Sequence, residues 1–270
     1  MIPDLVHLGN PMPAGGIGDA VIWTAVAREI KKVKPKCKIY LHSHSPLDMF
    51  ANNPNFDSIT PDNNPVHLPG TGGHHIQMKC KSFGITNPEL KGEFFLTPKE
   101  LEIGQAYIQL LSPDKPIILF AKNSKSKLRD WQLNYWEEIV DMLNARYAVF
   151  QIDESIGYYG KGSFGEHVLN DSRYGMPFLY DTVKNARQEL RNIPIRHLII
   201  LASVAKGYLG TNTGAMHIVT AFSYDNIIFM NSHEGGEEGW IYPQNTHFWE
   251  YHTLEQVKEI VASKWLSEHN

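Results

Sequence analysis

Apolar residues along this chain alternate between short continuous runs and stretches at helical spacing, which is the rhythm of an α/β protein. Leu5 to Leu8 reads as a strand and Ala14-Gly-Gly-Ile-Gly-Asp19 as a glycine-rich turn. Val21, Ile22, Ala25, Val26 and Ile30 then recur at the helical period, predicting a helix over Ala20 to Lys32. Lys38 to His42 follows as the second strand of a βαβ unit, which implies a parallel pair. Pro46 to Asn52 predicts a short helix, Phe56 to Thr60 and His75 to Lys79 two more strands, and Asn63 to Gly73 a loop. A longer helix is expected over Pro98 to Leu111, opening with Pro and Glu.

Ser112-Pro-Asp-Lys-Pro116 interrupts the pattern, and the rhythm then restarts. Ile117 to Phe120 is a strand, Tyr135 to Leu143 a helix, and Ala148 to Ile152 a strand. Ile195 to Ala205, a strand-turn-helix from Gly207, and Ile227 to Met230 complete a second doubly wound unit. The Gly-, Ser- and Tyr-rich stretch from Gly157 to Gly175 reads as a loop near the ligand. The expected division is 1–113, 114–252 and a C-terminal helix in 253–270, amphipathic over Leu254 to Leu266 and packing back toward the first unit.

Composition narrows the function classes. The 270 residues, 42% of them hydrophobic, suffice for one large core or two medium ones. With 25 Lys+Arg against 29 Asp+Glu, no global field draws the chain to nucleic acid or anionic lipid. The run Lys31, Lys32, Lys34, Lys36, Lys38 reads as a solvated helix end. Cys37 and Cys80 are too few for a disulfide framework and lack the spacing of a zinc site. No window approaches the roughly eighteen apolar residues of a membrane span, and no signal pattern opens the sequence. The expectation is a soluble, cytoplasmic protein without a transmembrane segment.

The most informative stretch is Gly207-Tyr-Leu-Gly-Thr-Asn-Thr-Gly-Ala-Met-His217, a strand passing through a small-residue turn into a helix. Backbone N–H groups at such a turn suit a phosphate or diphosphate, and Thr211, Asn212 and Thr213 add side-chain donors. The bland alternative is that Asn212 or Thr213 simply caps the helix. Gly15, Gly16 and Gly18 hint at a dinucleotide fingerprint, but the final glycine and the distant acidic residue are missing, so a dehydrogenase is rejected.

Three blocks together resemble the family 9 glycosyltransferases, whose best-known members are the lipopolysaccharide heptosyltransferases. The first is Gly16-Ile-Gly-Asp19-Ala-Val-Ile, with Pro35 and Asn53-Pro54 at suitable distances. The second is Lys125-Ser-Lys127-Leu-Arg129-Asp-Trp131 with Trp136 following, and the third is Gly210-Thr-Asn212-Thr-Gly214-Ala-Met-His217. The resemblance implies a GT-B architecture, two Rossmann-like doubly wound domains facing across a cleft, the first holding the acceptor and the second a nucleotide-sugar donor.

It also implies roles. Asp19 is the candidate base for the acceptor hydroxyl, against the alternative of an acidic residue that merely complements a helix dipole. Gly16 and Gly18 form the acceptor-side turn. Lys127 and Arg129 supply charge for the departing diphosphate, with Lys122 and Lys125 sharing the loop. Thr211, Asn212, Thr213, Gly214, Ala215, Met216 and His217 hold the donor; His217 either bonds phosphate or braces the turn. Asn212 stands where the family has aspartate, which leaves donor identity open. Trp131 and Trp136 read as packing aromatics.

No Asp-x-Asp occurs, so metal-independent transfer and no cofactor are expected, and the pairs His42/His44 and His74/His75 read as loop histidines. The leading reading is an inverting glycosyltransferase, with ADP-heptose and a glycan hydroxyl as the family default. A transferase acting on a hydroxymethylated DNA base, using Lys31 to Lys38 and Lys79 to Lys81 as a track, is one alternative. A degenerate GT-B module that binds nucleotide or glycan without turnover is the other.

Overall fold

The computed structural model describes residues 2–9, 16–43, 46–61, 73–122, 131–152, 182–191, 193–230 and 237–267. The loop expected from Gly157 to Gly175 and nearly all of that from Asn63 to Gly73 lie outside the described residues.

Two parallel sheets organise the chain. In the first, β1 (Leu5–Gly9), β2 (Lys38–His42) and β3 (Ser58–Thr60) lie in that order, with α1 (Ile17–Val33) crossing from β1 to β2. The expected strand over His75 to Lys79 is instead a helix, α2 (His75–Lys81). Its polar-apolar alternation is misleading, because the buried positions are Ile76 and Cys80, one helical turn apart, and His74 Nδ1 caps the helix by accepting the Ile76 N–H.

The second sheet contains β4 (Ile117–Ala121), β5 (Ala148–Gln151), β6 (Gly207–Thr211), β7 (Asn226–Met230) and β8 (Thr246–Trp249), ordered β5-β4-β6-β7-β8 and parallel throughout. Period-2 alternation splits its side chains between two faces. Ile118, Phe120, Leu209 and Phe229 pack with Trp136, Ile139 and Val140 of α4 (Leu133–Asn144). Ile117, Leu119, Tyr208 and Ile228 pack with α5 (Ile195–Ala202) and α6 (Gly214–Thr220) on the other face, in a core continuous with that of the first sheet. Helices on both faces explain why these strands are almost uniformly apolar.

The C-terminal helix α7 (Leu254–Val261) covers the α4 face of the second sheet, not the first unit as expected. Val257, Val261 and Trp265 join Trp136 and Phe248, Tyr147 donates its hydroxyl to the Trp265 carbonyl at 2.8 Å, and Lys258 pairs with Glu138. Amphipathicity predicts a buried stripe without naming its partner, and the apolar stripe of α4 is the one nearby.

The two halves are pinned by α3 (Pro98–Leu111) lying on α5. Glu100 closes the capping box of α3 with Thr97 and also receives Arg196 from α5 on both oxygens, at 2.7 and 2.9 Å. The Arg196 hydrogen bonds, acting against burial, hold the Glu100 carboxyl down at about 2. A depressed carboxylate adds stability above its unfolded pKa, and that stability is lost as pH falls through the folded value. Glu100→Gln is therefore expected to destabilise the fold by about 3 kcal/mol at neutral pH. The deficit should close between pH 4.5 and 2, as read from urea unfolding of both proteins across that window.

Candidate functional site

In the second sheet the chain runs from β4 outward to β5 and then returns to β6 on the other side of β4, so the strand order reverses between β4 and β6. A crevice opens outside the carboxyl ends of strands at such a point. Ala121 is paired with Gly210, and the residues that follow the two strands stand at this switch point: Lys122, only 3% exposed, after β4, and Asn212, 2% exposed, after β6. The strands approach so closely that a Cβ on Gly210 would lie 2.1 Å from the Ala121 carbonyl oxygen, and Gly210 has φ +146°. Tyr208, fully buried, bonds across the turn: its hydroxyl donates to the Thr211 carbonyl at 2.8 Å and lies 3.2 Å from Thr213 Oγ1. Thr213 is the N-cap of α6, but its side chain makes no cap hydrogen bond.

Directly against this turn lies the start of α1. A Cβ on Gly214 would lie 2.7 Å from Ile17 Cβ, and one on Gly18 would lie 2.5 Å from His217 Cδ2. The two helices therefore meet through missing side chains, which brings the first and third sequence blocks together although they are nearly 200 residues apart. His217 is buried at this contact, with Nδ1 2.7 Å from the Tyr242 hydroxyl and its ring 4.9 Å from that of Trp240. Of the two roles expected for His217, these contacts are those of a brace. Gly18 likewise makes room for His217 inside α1, and Gly16 is the N-cap residue.

Asp19, half-buried, sits in the first turn of α1 and accepts the Gly16 N–H on Oδ2 at 3.0 Å. The helix-terminal role considered for it is thus realised, one residue beyond the Ile17–Gly18 contact with α6. Its charge reaches Lys79 on α2 and Tyr242. Burial pulls the Lys79 ammonium below its ordinary value while Asp19 pulls it up; burial pushes Tyr242 up, with Asp19 adding to it. His74 caps α2 and His75 opens it, and each is drawn down to about 4, chiefly by burial. Their rings lie 4.7 Å from Tyr242 and 4.0 Å from Trp240, respectively. They are packing and capping groups rather than loop histidines. Among the described residues no group of three or more His, Cys, Asp or Glu is placed to hold a metal.

Lys125, Lys127 and Arg129 lie outside the described residues. Trp131 and Trp136 pack with Phe229 and Phe248 in the core, as expected. His42 bridges His7 and Thr60 within the first sheet. Of the lysine track offered for DNA, Lys31 pairs with Asp57, Lys32 with Glu29 and Lys34 with Asp4, while the Lys79 ammonium lies over the Trp23 ring. Tyr208, Tyr242 and Lys79 are site residues that the motifs did not mark.

The sequence matches no family model and no curated protein. Solved structures match nearly the whole chain. The E. coli ADP-heptose LPS heptosyltransferase II superposes with a TM-score of 0.68 at 12% identity, covering 98% of this chain and 99% of that one. The chain has the fold of the family 9 glycosyltransferases. A family 9 glycosyl transferase from Veillonella parvula DSM 2008 gives 0.65 at 11% identity over 96% of this chain and 88% of that one. The iron-containing dodecameric glycosyltransferase TibC from enterotoxigenic E. coli H10407 gives 0.62 at 15% identity, over 92% and 63%. The family 9 fold thus accounts for both sheets, and among the described residues no helix is long and apolar enough to cross a membrane.

Proposed function

We propose that the chain is an inverting, metal-independent GT-B glycosyltransferase that moves a sugar from a nucleoside-diphosphate donor to a hydroxyl of a glycan acceptor. The observation that carries this reading is the seating of the Asp19 turn directly on the Gly214–His217 helix at the β4/β6 switch point, in a chain with the family 9 fold. Fold alone does not specify activity, so the site geometry bears the weight.

In this reading the first unit and the second face each other across the crevice. The donor diphosphate lies at the carboxyl ends of β4 and β6, near Thr211 to His217 and Lys122, with Lys127 and Arg129 supplying further positive charge. The acceptor oxygen attacks the anomeric carbon from the face opposite the diphosphate. Asp19 takes the hydroxyl proton, the anomeric C–O bond to phosphate breaks, and the nucleoside diphosphate leaves with that electron pair. ADP-heptose is the proposed donor because the heptosyltransferase II that this fold matches is named for it.

The test is thermal unfolding of the full chain with ADP, UDP, GDP or CDP, each with EDTA and with iron added back. A ligand at about 100 times its Kd stabilises the folded state by about 2.7 kcal/mol. A selective rise in Tm with ADP in EDTA is expected. A rise that requires iron would overturn metal independence, and no rise with any nucleotide would move the reading to a binding module without donor turnover.

A further inference from the structure

Helix α2 joins the first unit on one side and meets the second on the other. Ile76 and Cys80 pack with α1 in the core, while the two histidines at its start reach across to the segment that precedes β8. The His75 ring lies 4.0 Å from that of Trp240, and the approach is so close that a Cβ on Gly239 would lie 2.6 Å from His75 Nε2. The His74 ring meets Tyr242 edge to face at 4.7 Å, and Tyr242 is in turn held to His217 of α6 by a 2.7 Å hydrogen bond.

The contacts of His74 suit one charge state. Its Nδ1 accepts the Ile76 N–H at 3.2 Å, so that nitrogen carries no proton and the neutral ring bears its hydrogen on Nε2. His74 is 5% exposed, and among the described residues Nε2 has no hydrogen-bond partner. A second proton would therefore break the cap of α2 and leave a buried cation facing no acceptor. We propose that the joint between α2 and the 239–242 segment is a proton-sensitive latch: it stays shut while His74 and His75 are neutral, and a proton taken up by either one releases α2 from Trp240 and Tyr242. The latch is a property of the two faces in contact and needs no reading of the catalytic step.

The groups around the joint work in the same direction. On α2, Lys79 opposes a charge on His75, and His75 opposes one on His74. Tyr242 is fully buried with its ionisation pushed up, so it offers no phenolate as a counter-charge. From α1, the Asp19 charge acts on Lys79 and Tyr242. Burial is the largest cause for both histidines, which titrate at about 4 in the shut joint against 6.5 in water. Between those values the open form binds more protons than the shut one, so the latch weakens as pH falls from 6.5 and the penalty is complete below 4. By pH 5 the open fraction should have risen about ten-fold or more for each histidine.

The experiment is amide hydrogen exchange of the full chain at pH 7 and pH 5, each rate divided by the intrinsic rate at that pH. Protection of 75–81 and of 239–245 should fall by about ten-fold or more at pH 5, while the amides of β4 and β6 keep theirs. His247 on β8 is also drawn down to about 4 by burial, so variants assign the effect. His74→Asn keeps an oxygen to cap α2, His75→Phe keeps a ring against Trp240, and neither new side chain titrates in this range. Each single variant should remove part of the fall and the double variant all of it. Equal protection at the two pH values in the parent overturns the proposal. So does a loss shared by β4 and β6, which is general unfolding, or a fall of parental size in whichever of the variants fold.

Discussion

Gly210→Ala is expected to remove about 4 kcal/mol of stability, enough to leave much of the protein unfolded near physiological temperature. Two costs add. Gly210 occupies φ +146°, a conformation that a side chain strongly disfavours. Its new Cβ would also stand 2.1, 2.8 and 2.9 Å from the carbonyl oxygen, carbonyl carbon and nitrogen of Ala121. These are backbone atoms of the neighbouring strand, so no rotamer change relieves the clash and β4 must separate from β6. The separation falls at the switch point, so the folded fraction should also lose its response to nucleotide. Gly16→Ala is the control: Gly16 has φ −76° and nothing within 4 Å of the would-be Cβ, and it should cost less than about 1 kcal/mol. Urea unfolding of the three proteins decides it. A Gly210→Ala protein within 1 kcal/mol of the parent would show that the β4–β6 pairing described here is wrong.

Asp19→Asn should lower transfer by about 10²- to 10⁴-fold while leaving the fold nearly intact. Asparagine keeps an oxygen in the place where Oδ2 accepts the Gly16 N–H, so the α1 cap survives. It cannot accept the acceptor's proton as a carboxylate does. The nucleotide-induced rise in Tm should persist, because the donor is proposed to sit on the β4/β6 side of the crevice. Loss of turnover with binding retained separates a base from a structural cap. Equal activity in Asp19→Asn and the parent would reduce Asp19 to the helix-capping role that its hydrogen bond already shows.

Local patterning located most elements well. β2 falls on Lys38–His42 and α3 on Pro98–Leu111, as the spacing predicts, because each has an uninterrupted period bounded by proline, glycine or a polar cap. α1 begins three residues earlier than expected, at Ile17, since Gly18 and Asp19 belong to the helix rather than to the turn. The failure at α2 has the same local cause in reverse. Five residues of alternating polarity fit a strand, and only the packing of Ile76 and Cys80 against α1 shows the helical period. β8 was missed because Thr246–Trp249 is short, mixed in polarity and defined by its pairing with β7.

By itself, then, the sequence determined which segments form strands and helices, where glycine must stand, and which three blocks are similar to a known family. These are properties of periodicity and side-chain size, and they are written within a turn or two of chain. The tertiary structure alone decided the partners. It placed β4 between β5 and β6, seated Gly18 on His217, turned α7 toward α4, and brought Lys79 and Tyr242 within electrostatic reach of Asp19. An apolar stripe or an unpaired charge specifies that something must cover it, whereas the identity of the covering residue depends on contacts between positions far apart in sequence.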